Sequence, residues 1–255
     1  MKKFTVGNQK GGVGKTTIDI HLAMYAADQG QKVLVIDLDE GDMAAFFGLK
    51  DDADSTQYLM ASELYFGGDE SHSPRQVAPN IWLIEADVAV LDVDDMGMDI
   101  VHNLKRALQR FEDQFDICLI DTPPNLQRRM ISALVASDCV VAPFNISPFT
   151  FARMPKLMAT IENVQDAYNP ALKFLGFLPN LVNSRSPDEI NMLPSLRDEY
   201  GELMFAEHII YRPCINKAQG RGEPVWFKPN GSSQRIAGQE MKQACNAIFS
   251  KASVV

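Results

Sequence analysis

Three short stretches of this chain carry side chains suited to holding a polyphosphate. Lys10 to Thr17 reads KGGVGKTT, a glycine-rich loop that ends at Gly14-Lys15-Thr16. Glycines let successive backbone N–H groups turn inward and cradle phosphate oxygens. Lys15 is then placed to neutralise the β and γ phosphates, and the Thr16 hydroxyl to ligate Mg2+. Gly11, Gly12, Val13, Gly14, Lys15, Thr16 and Thr17 are therefore the candidate nucleotide-binding residues. Asp37 and Asp39 close the apolar run of VIDLDEGD, and carboxylates at the C-terminal edge of a parallel strand face the ligand crevice. Cys118 to Pro124 (CLIDTPP) is another apolar run ending in a carboxylate. Paired with an upstream phosphate loop it has the pattern of a Walker B strand, with Asp121 holding Mg2+ through a water or through Thr16.

These residues need a scaffold that brings strand ends and a helix start to one edge. Lys3 to Asn8 reads as a short strand running straight into the glycines, and Thr16 to Gln29 has helical spacing through Ile20, Leu22, Ala23, Ala26 and Ala27, with Gly30 as its stop. Lys32 to Asp37 is a near-continuous apolar run, as in a strand buried on both faces. Further strands are expected at Ile81 to Ala86, Asp116 to Asp121, Cys139 to Phe144, Leu172 to Leu181 and Glu207 to Tyr211. Helices are expected at Ser55 to Tyr65, Ile100 to Glu112, Arg128 to Ala136, Phe149 to Asn163, Asp188 to Tyr200 and Ser232 to Ser250. Such alternation implies an α/β fold, a doubly wound, mostly parallel sheet with helices on both faces. Gly67 to Pro79 and Phe227 to Ser233 read as polar loops.

A length of 255 residues with 46% hydrophobic and 22% charged side chains suits one P-loop domain spanning 1–255. No apolar core follows Met1-Lys2-Lys3 as a signal peptide requires, so a cytoplasmic chain is expected. Cys118, Cys139, Cys214 and Cys245 are too widely spaced for a CxxC pair and read as buried free thiols. His21, His72, His102 and His208 do not cluster, which argues against a histidine metal site or nucleophile system. Net charge is −9, but unevenly spread: Asp37 to Asp113 holds 18 acidic against 5 basic residues, and Phe205 to Val255 holds 3 against 7. Contact with a polyanion is thus expected only locally, in the late segment.

Lys10 is not required by the general phosphate-loop pattern and stands beside Gly11, where its side chain can point away from its own nucleotide. With this second lysine the loop resembles that of the deviant Walker A ATPases of the ParA/MinD family, of the short type that has only a few residues before the first strand. The resemblance implies ATP and Mg2+ as ligands and an ATP-dependent homodimer in which Lys10 reaches the partner's phosphates. It makes Lys10, Lys15 and Asp39 the catalytic residues, Asp39 orienting the attacking water. Glu40 and Gly41 stand where the family usually has Pro and Gln, a departure that touches the geometry of that loop. By the same resemblance Asn180, in GFLPNL, contacts adenine, with Tyr211, Arg212 and Pro213 closing the other side of the ring. Asp19 and His21 stand where family members often have small or amide residues.

The resemblance further implies nonspecific DNA binding by the dimer, for which Arg212, Lys217, Arg221, Lys228, Arg235 and Lys242 are the candidate surface. It also implies hydrolysis stimulated by a centromere-binding or other activator protein, partition of a plasmid or chromosome, and a nucleoid-associated location if DNA is bound. A positioning ATPase for a protein cargo shares every residue named. A MinD-like membrane-cycling ATPase needs a basic amphipathic C-terminal helix, and the FSKASVV tail has one charge, so stable membrane association is not expected. An iron–sulfur carrier of the same superfamily needs paired cysteines, which the spacing denies.

Overall fold

In the computed structural model of the protein, residues 1–39, 42–49, 57–147, 151 and 153–254 are described. The strands are β1 (Lys2–Val6), β2 (Val33–Asp37), β3 (Arg75–Ala78), β4 (Ile81–Ile84), β5 (Ile117–Asp121), β6 (Cys139–Phe144) and β7 (Lys173–Pro179). The α-helices are α1 (Lys15–Asp28), α2 (Asp42–Phe46), α3 (Glu63–Phe66), α4 (Asn103–Leu108), α5 (Arg128–Ala136), α6 (Met154–Ala167), α7 (Pro187–Tyr200), α8 (Pro213–Gln219) and α9 (Ser232–Lys251).

The strands form one sheet in the order β3-β4-β2-β5-β1-β6-β7. All neighbours are parallel except β3 and β4. β2, β5 and β6 are buried along their whole length, because alternate side chains meet helices on opposite faces. Phe4, Val6, Val33, Val35 and Leu119 pack with Ile18 and Leu22 of α1 and with Met241, Ile248 and Phe249 of α9. On the other face Leu34, Ile36, Cys118 and Ile120 meet Leu104 and Leu108 of α4 and Ala133 of α5. Val140, Ala142 and Phe144 meet Leu134 of α5 and Leu157 and Ile161 of α6. The sheet is doubly wound, as its alternating pattern implies.

The structure corrects several expected elements. Arg75–Ala78, inside the polar stretch read as loop, is an antiparallel edge strand whose partner β4 supplies the ladder. Glu207 to Tyr211 forms no strand, and Ile210 makes only an isolated bridge to Val182. Of the helix expected over Ser55 to Tyr65, residues 55 and 56 lie outside the described part. Tyr58 and Met60 make isolated bridges, and α-helix begins only at Glu63. The helix expected over Ile100 to Glu112 is broken into 3₁₀ turns at Met98–His102 and Gln109–Phe111 around the short α4. Phe149, Pro148 and Thr150 lie outside the described residues, and the helix that follows starts at Met154. Cys118, Cys139 and Cys245 are buried, whereas Cys214 is half-buried, because it sits at the outer edge of α8 near Ser233.

Candidate nucleotide site

The phosphate loop is the link between β1 and α1, and its shape is set from three sides. Gly7 N–H donates to the Val141 carbonyl at 3.0 Å. The Asn8 amide donates to the Pro143 carbonyl at 2.8 Å, while its oxygen accepts the Lys10 N–H at 3.0 Å. Gly12 and Gly14 have φ of 70° and 87°, the left-handed region that L side chains avoid. Gly14 is the N-cap of α1, and its carbonyl accepts the Ile18 N–H at 3.0 Å. The loop therefore delivers its N–H groups onto the positive end of a helix, the arrangement that holds phosphate.

Three aspartates converge beneath it. β2 and β5 end in register, with Asp37 opposite Asp121, and Asp19 of α1 lies against them. Asp19, Asp37 and Asp121 are 0%, 2% and 1% exposed, and Lys15, at 6%, is the cation acting on Asp19 and Asp121. Thr16 Oγ1 donates to Asp121 Oδ2 at 2.6 Å, and Thr122 N–H to its other oxygen at 3.0 Å. Burial pushes the Asp121 carboxyl up to about 6, against the pull of Thr16 and Lys15. Burial, and then the Asp121 charge, also push Asp19 and Asp37 well above the usual carboxylate range. Among the described residues no donor reaches either Asp19 oxygen, and burial together with the Asp121 charge favours its neutral form. Excess buried negative charge beside a hydroxyl fits a divalent cation. Among the described residues no group of three or more His, Cys, Asp or Glu could hold a metal. The residues here that could serve a Mg2+ ion are therefore Thr16 and Asp121, a pair that suits a cation whose other ligands are phosphate oxygens and water.

The two lysines of the loop have different neighbours. Lys15 faces the carboxylates, whereas Lys10 Nζ donates to Asn145 Oδ1 at 2.9 Å and Ser147 Oγ at 3.2 Å, in the loop after β6. Asp39 stands just past β2, its N–H donating to Asp37 Oδ1 at 3.0 Å. Glu40 and Gly41 lie outside the described residues. Asn180, at the end of β7, is buried, and its amide donates to the Val13 carbonyl at 2.8 Å, so it buttresses the phosphate loop from behind. Arg212 and Pro213 line a cavity of about 630 Å3 together with Leu181, Asn183 and Tyr211. The Arg212 guanidinium is held by both carboxylate oxygens of Glu240 in α9.

His21, one of the departures from the family pattern, finds a role. His21 Nδ1 donates to the Thr17 carbonyl at 2.6 Å, and its Nε2 accepts the Val225 N–H at 3.2 Å. Burial pushes its ring down to about 4, so it is neutral. Thr17 Oγ1 donates to Gln219 of α8 at 3.2 Å. The turn that follows the phosphate loop is thereby tied to the late segment twice. His21 lies four residues after Thr17, a helical spacing visible in the sequence, but its second partner is 204 residues away.

Of the candidate basic surface, Lys217, Arg221 and Lys228 gather around a cavity of about 530 Å3. Arg221 pairs with Glu223 at 2.7 Å. The Lys228 and Lys242 ammonium groups lie 5.0 Å from the Phe227 and 5.2 Å from the Trp226 ring centroids. Arg235 is exposed on α9, and Arg212 is half-buried in its ion pair.

Comparison with known proteins shows the family. A family model described as an AAA domain matches residues 1–174. Protein IncC of Escherichia coli is 33% identical over 258 residues, covering all of this chain and 70% of that protein. The chain belongs to the ParA/MinD family. The chromosome-partitioning ATPase Soj of Thermus thermophilus, a further relative, is 30% identical over 214 residues, covering 80% of this chain and 79% of Soj. Among solved structures, cobyrinic acid a,c-diamide synthase from Mycobacterium smegmatis with bound ATP analog and magnesium is similar, at 25% identity and a TM-score of 0.78. The match covers 99% of this chain and 96% of that one. The glycine loop and both aspartate-ended strands of the ParA/MinD chain fall within the matched family segment.

Proposed function

We propose that this chain is a ParA-like ATPase, a single domain over 1–255, that forms an ATP-dependent sandwich dimer and hydrolyses ATP with Mg2+ when an activator protein engages it. The observation that carries this reading is the Thr16–Asp121 contact of 2.6 Å, which joins the phosphate loop to a strand-end carboxylate in a buried, negatively charged site. In this reading the loop N–H groups and Lys15 bind the β and γ phosphates, and Thr16 and Asp121 hold Mg2+, Asp121 through a water. Bound there, Mg2+ neutralises charge developing on the phosphates. Asp39 orients the attacking water. Lys10 leaves Asn145 and Ser147 to meet the partner protomer's phosphates. Arg212 and Pro213 flank the base, and Asn180, whose amide also braces the phosphate loop at Val13, contacts adenine.

The dimer binds DNA nonspecifically and acts in partition of a plasmid or chromosome, in the cytoplasm and on the nucleoid. The chromosome-partitioning ATPase Soj as a relative supports the role in partition, and the basic rim at Lys217, Arg221 and Lys228 supports the contact with DNA. No helix among the described residues is long and apolar enough to cross a membrane. Replacing Asp39 by Ala tests the mechanism, since it removes the water-orienting group but spares the phosphate cradle and Mg2+ ligands. Light scattering with ATP and Mg2+ should find a trapped dimer with turnover lost. Turnover at the wild-type rate would reduce Asp39 to a structural cap.

A further inference from the structure

The strand end that carries Asp39 is held by a buried ion pair lying outside every nucleotide motif. Arg129, in the first turn of α5, and Asp94, in a 3₁₀ segment spanning Val88–Asp95, are each 6% exposed. Asp94 Oδ1 accepts the Arg129 backbone N–H at 3.0 Å, and Oδ2 takes Nε and Nη2, both at 2.8 Å. That fork fixes the guanidinium plane. It leaves Nη1 aimed at the Leu38 carbonyl oxygen, 2.7 Å away. The Leu38 carbonyl and the Asp39 N–H belong to one peptide group, whose N–H donates to Asp37 Oδ1 at 3.0 Å. One residue back, the Leu38 N–H donates to the Asp121 carbonyl at 3.1 Å. The planar unit that sets the direction in which Asp39 leaves the backbone is thus pinned at both polar ends.

Stability alone is a poor reason for this pair. Burying two charges costs desolvation that well-packed apolar side chains avoid, and α5 could be capped by a neutral Asn or Ser. What the pair supplies that an apolar core cannot is a rigid donor at a fixed point on the Asp39 peptide. We infer that Arg129, held in place by Asp94, is a positioning residue for hydrolysis that aims Asp39 at the attacking water. The inference rests on the reading of Asp39 as the water-orienting carboxylate. Nucleotide affinity should not depend on it, because among the described residues no hydrogen bond or ion pair joins Arg129 or Asp94 to the phosphate loop.

The test is Arg129→Lys and Asp94→Asn, each alone and combined with Asp39→Ala, in the full chain. The readouts are single-turnover ATP hydrolysis, ATP affinity by calorimetry and near-ultraviolet circular dichroism. Misplacement of a reacting group by about 1 Å costs on the order of 100-fold in rate. Arg129→Lys should therefore lower kcat roughly 10- to 100-fold and Asp94→Asn about 3- to 10-fold, with ATP affinity within about threefold of wild type. Neither should lower the residual rate of Asp39→Ala any further. Asp94→Asn keeps the volume and one acceptor oxygen, and decides the matter if Arg129→Lys does not fold. Wild-type turnover in the folded variants, or an equal further loss on top of Asp39→Ala, overturns the inference. If Asp39→Ala itself turns over normally, the water-orienting reading fails and the inference falls with it. If Asp39→Ala is inactive while the Arg129 and Asp94 variants turn over at the wild-type rate, the inference fails alone.

Discussion

Replacing Gly14 by alanine strikes the phosphate loop at the point where backbone conformation and packing both leave no room. Its φ is 87°, and a Cβ there would lie 2.4 Å from Asn180 Nδ2, the atom that donates to the Val13 carbonyl. Holding alanine in the left-handed region costs about 1–2 kcal/mol. Displacing a buried amide from its carbonyl leaves both groups without partners, for about 1–3 kcal/mol more. A total of about 2–5 kcal/mol lowers the melting temperature of a chain this size by roughly 10 °C. The same distortion turns N–H groups away from the phosphates. Losing one such charge-assisted hydrogen bond weakens ATP binding roughly 10- to 100-fold. Thermal melting and calorimetric titration of Gly14→Ala, Asn180→Ala and the double variant separate the causes. Alanine at 180 removes the clash but not the strain, so the double variant should be more stable than the summed single effects by about 1–2 kcal/mol. A Gly14→Ala protein that melts within about 2 °C of wild type and binds ATP normally refutes the account of the loop. Strictly additive losses would show that Asn180 does not brace it.

Asp121→Asn should stabilise the protein in buffer lacking nucleotide and Mg2+, in a pH-dependent way. Its folded pKa is raised to about 6 from an ordinary 3.8, so the folded state holds this proton more tightly than the unfolded chain does. The stability lost by ionising it grows as pH climbs from about 4 to 6 and is complete above, on the order of 3 kcal/mol. Melting curves from pH 4 to 8 should show the variant ahead at pH 7.5 and the gap closing on acidification; a gap that does not narrow counts against burial as the cause. Charge reversal at Arg235 together with Lys242 should weaken DNA binding equally across sequences and lower the salt slope by about 2, measured by filter binding with ATP, while ATP-dependent dimerisation persists. Equal DNA retention with ATP, with ADP and without nucleotide, or no effect of the reversal, would favour a protein cargo over DNA.

Much of the site is legible in local sequence because its parts are local. KGGVGKTT joins a strand to a helix, and both aspartate-ended strands are continuous apolar runs that only a doubly covered parallel sheet accommodates. For the same reason Cys139–Phe144 and Arg128–Ala136 fall where periodicity places them. Short-range pattern does not reach contacts made across the fold. Arg75–Ala78 is too polar to read as a strand and exists because β4 offers it a ladder, while the apolar stretch at Glu207 to Tyr211 has only one bridge to join.

Side-chain roles divide the same way. The residue types of Asp19, His21 and Asn180 say what each can donate or accept. Their burial says which form each favours: a carboxyl pushed toward its neutral form beside Asp121, a neutral ring bridging α1 to Val225, an amide donating to Val13. Arg212 reads as a surface cation until α9 brings Glu240 to it, and Arg129 as an ordinary helix residue until Asp94 and the Leu38 carbonyl converge on it. Sequence sets the inventory of charges and the elements that carry them. Only the tertiary structure decides which charges lose their water together, and desolvation converts the same side chains into a cation site, a brace or a clamp.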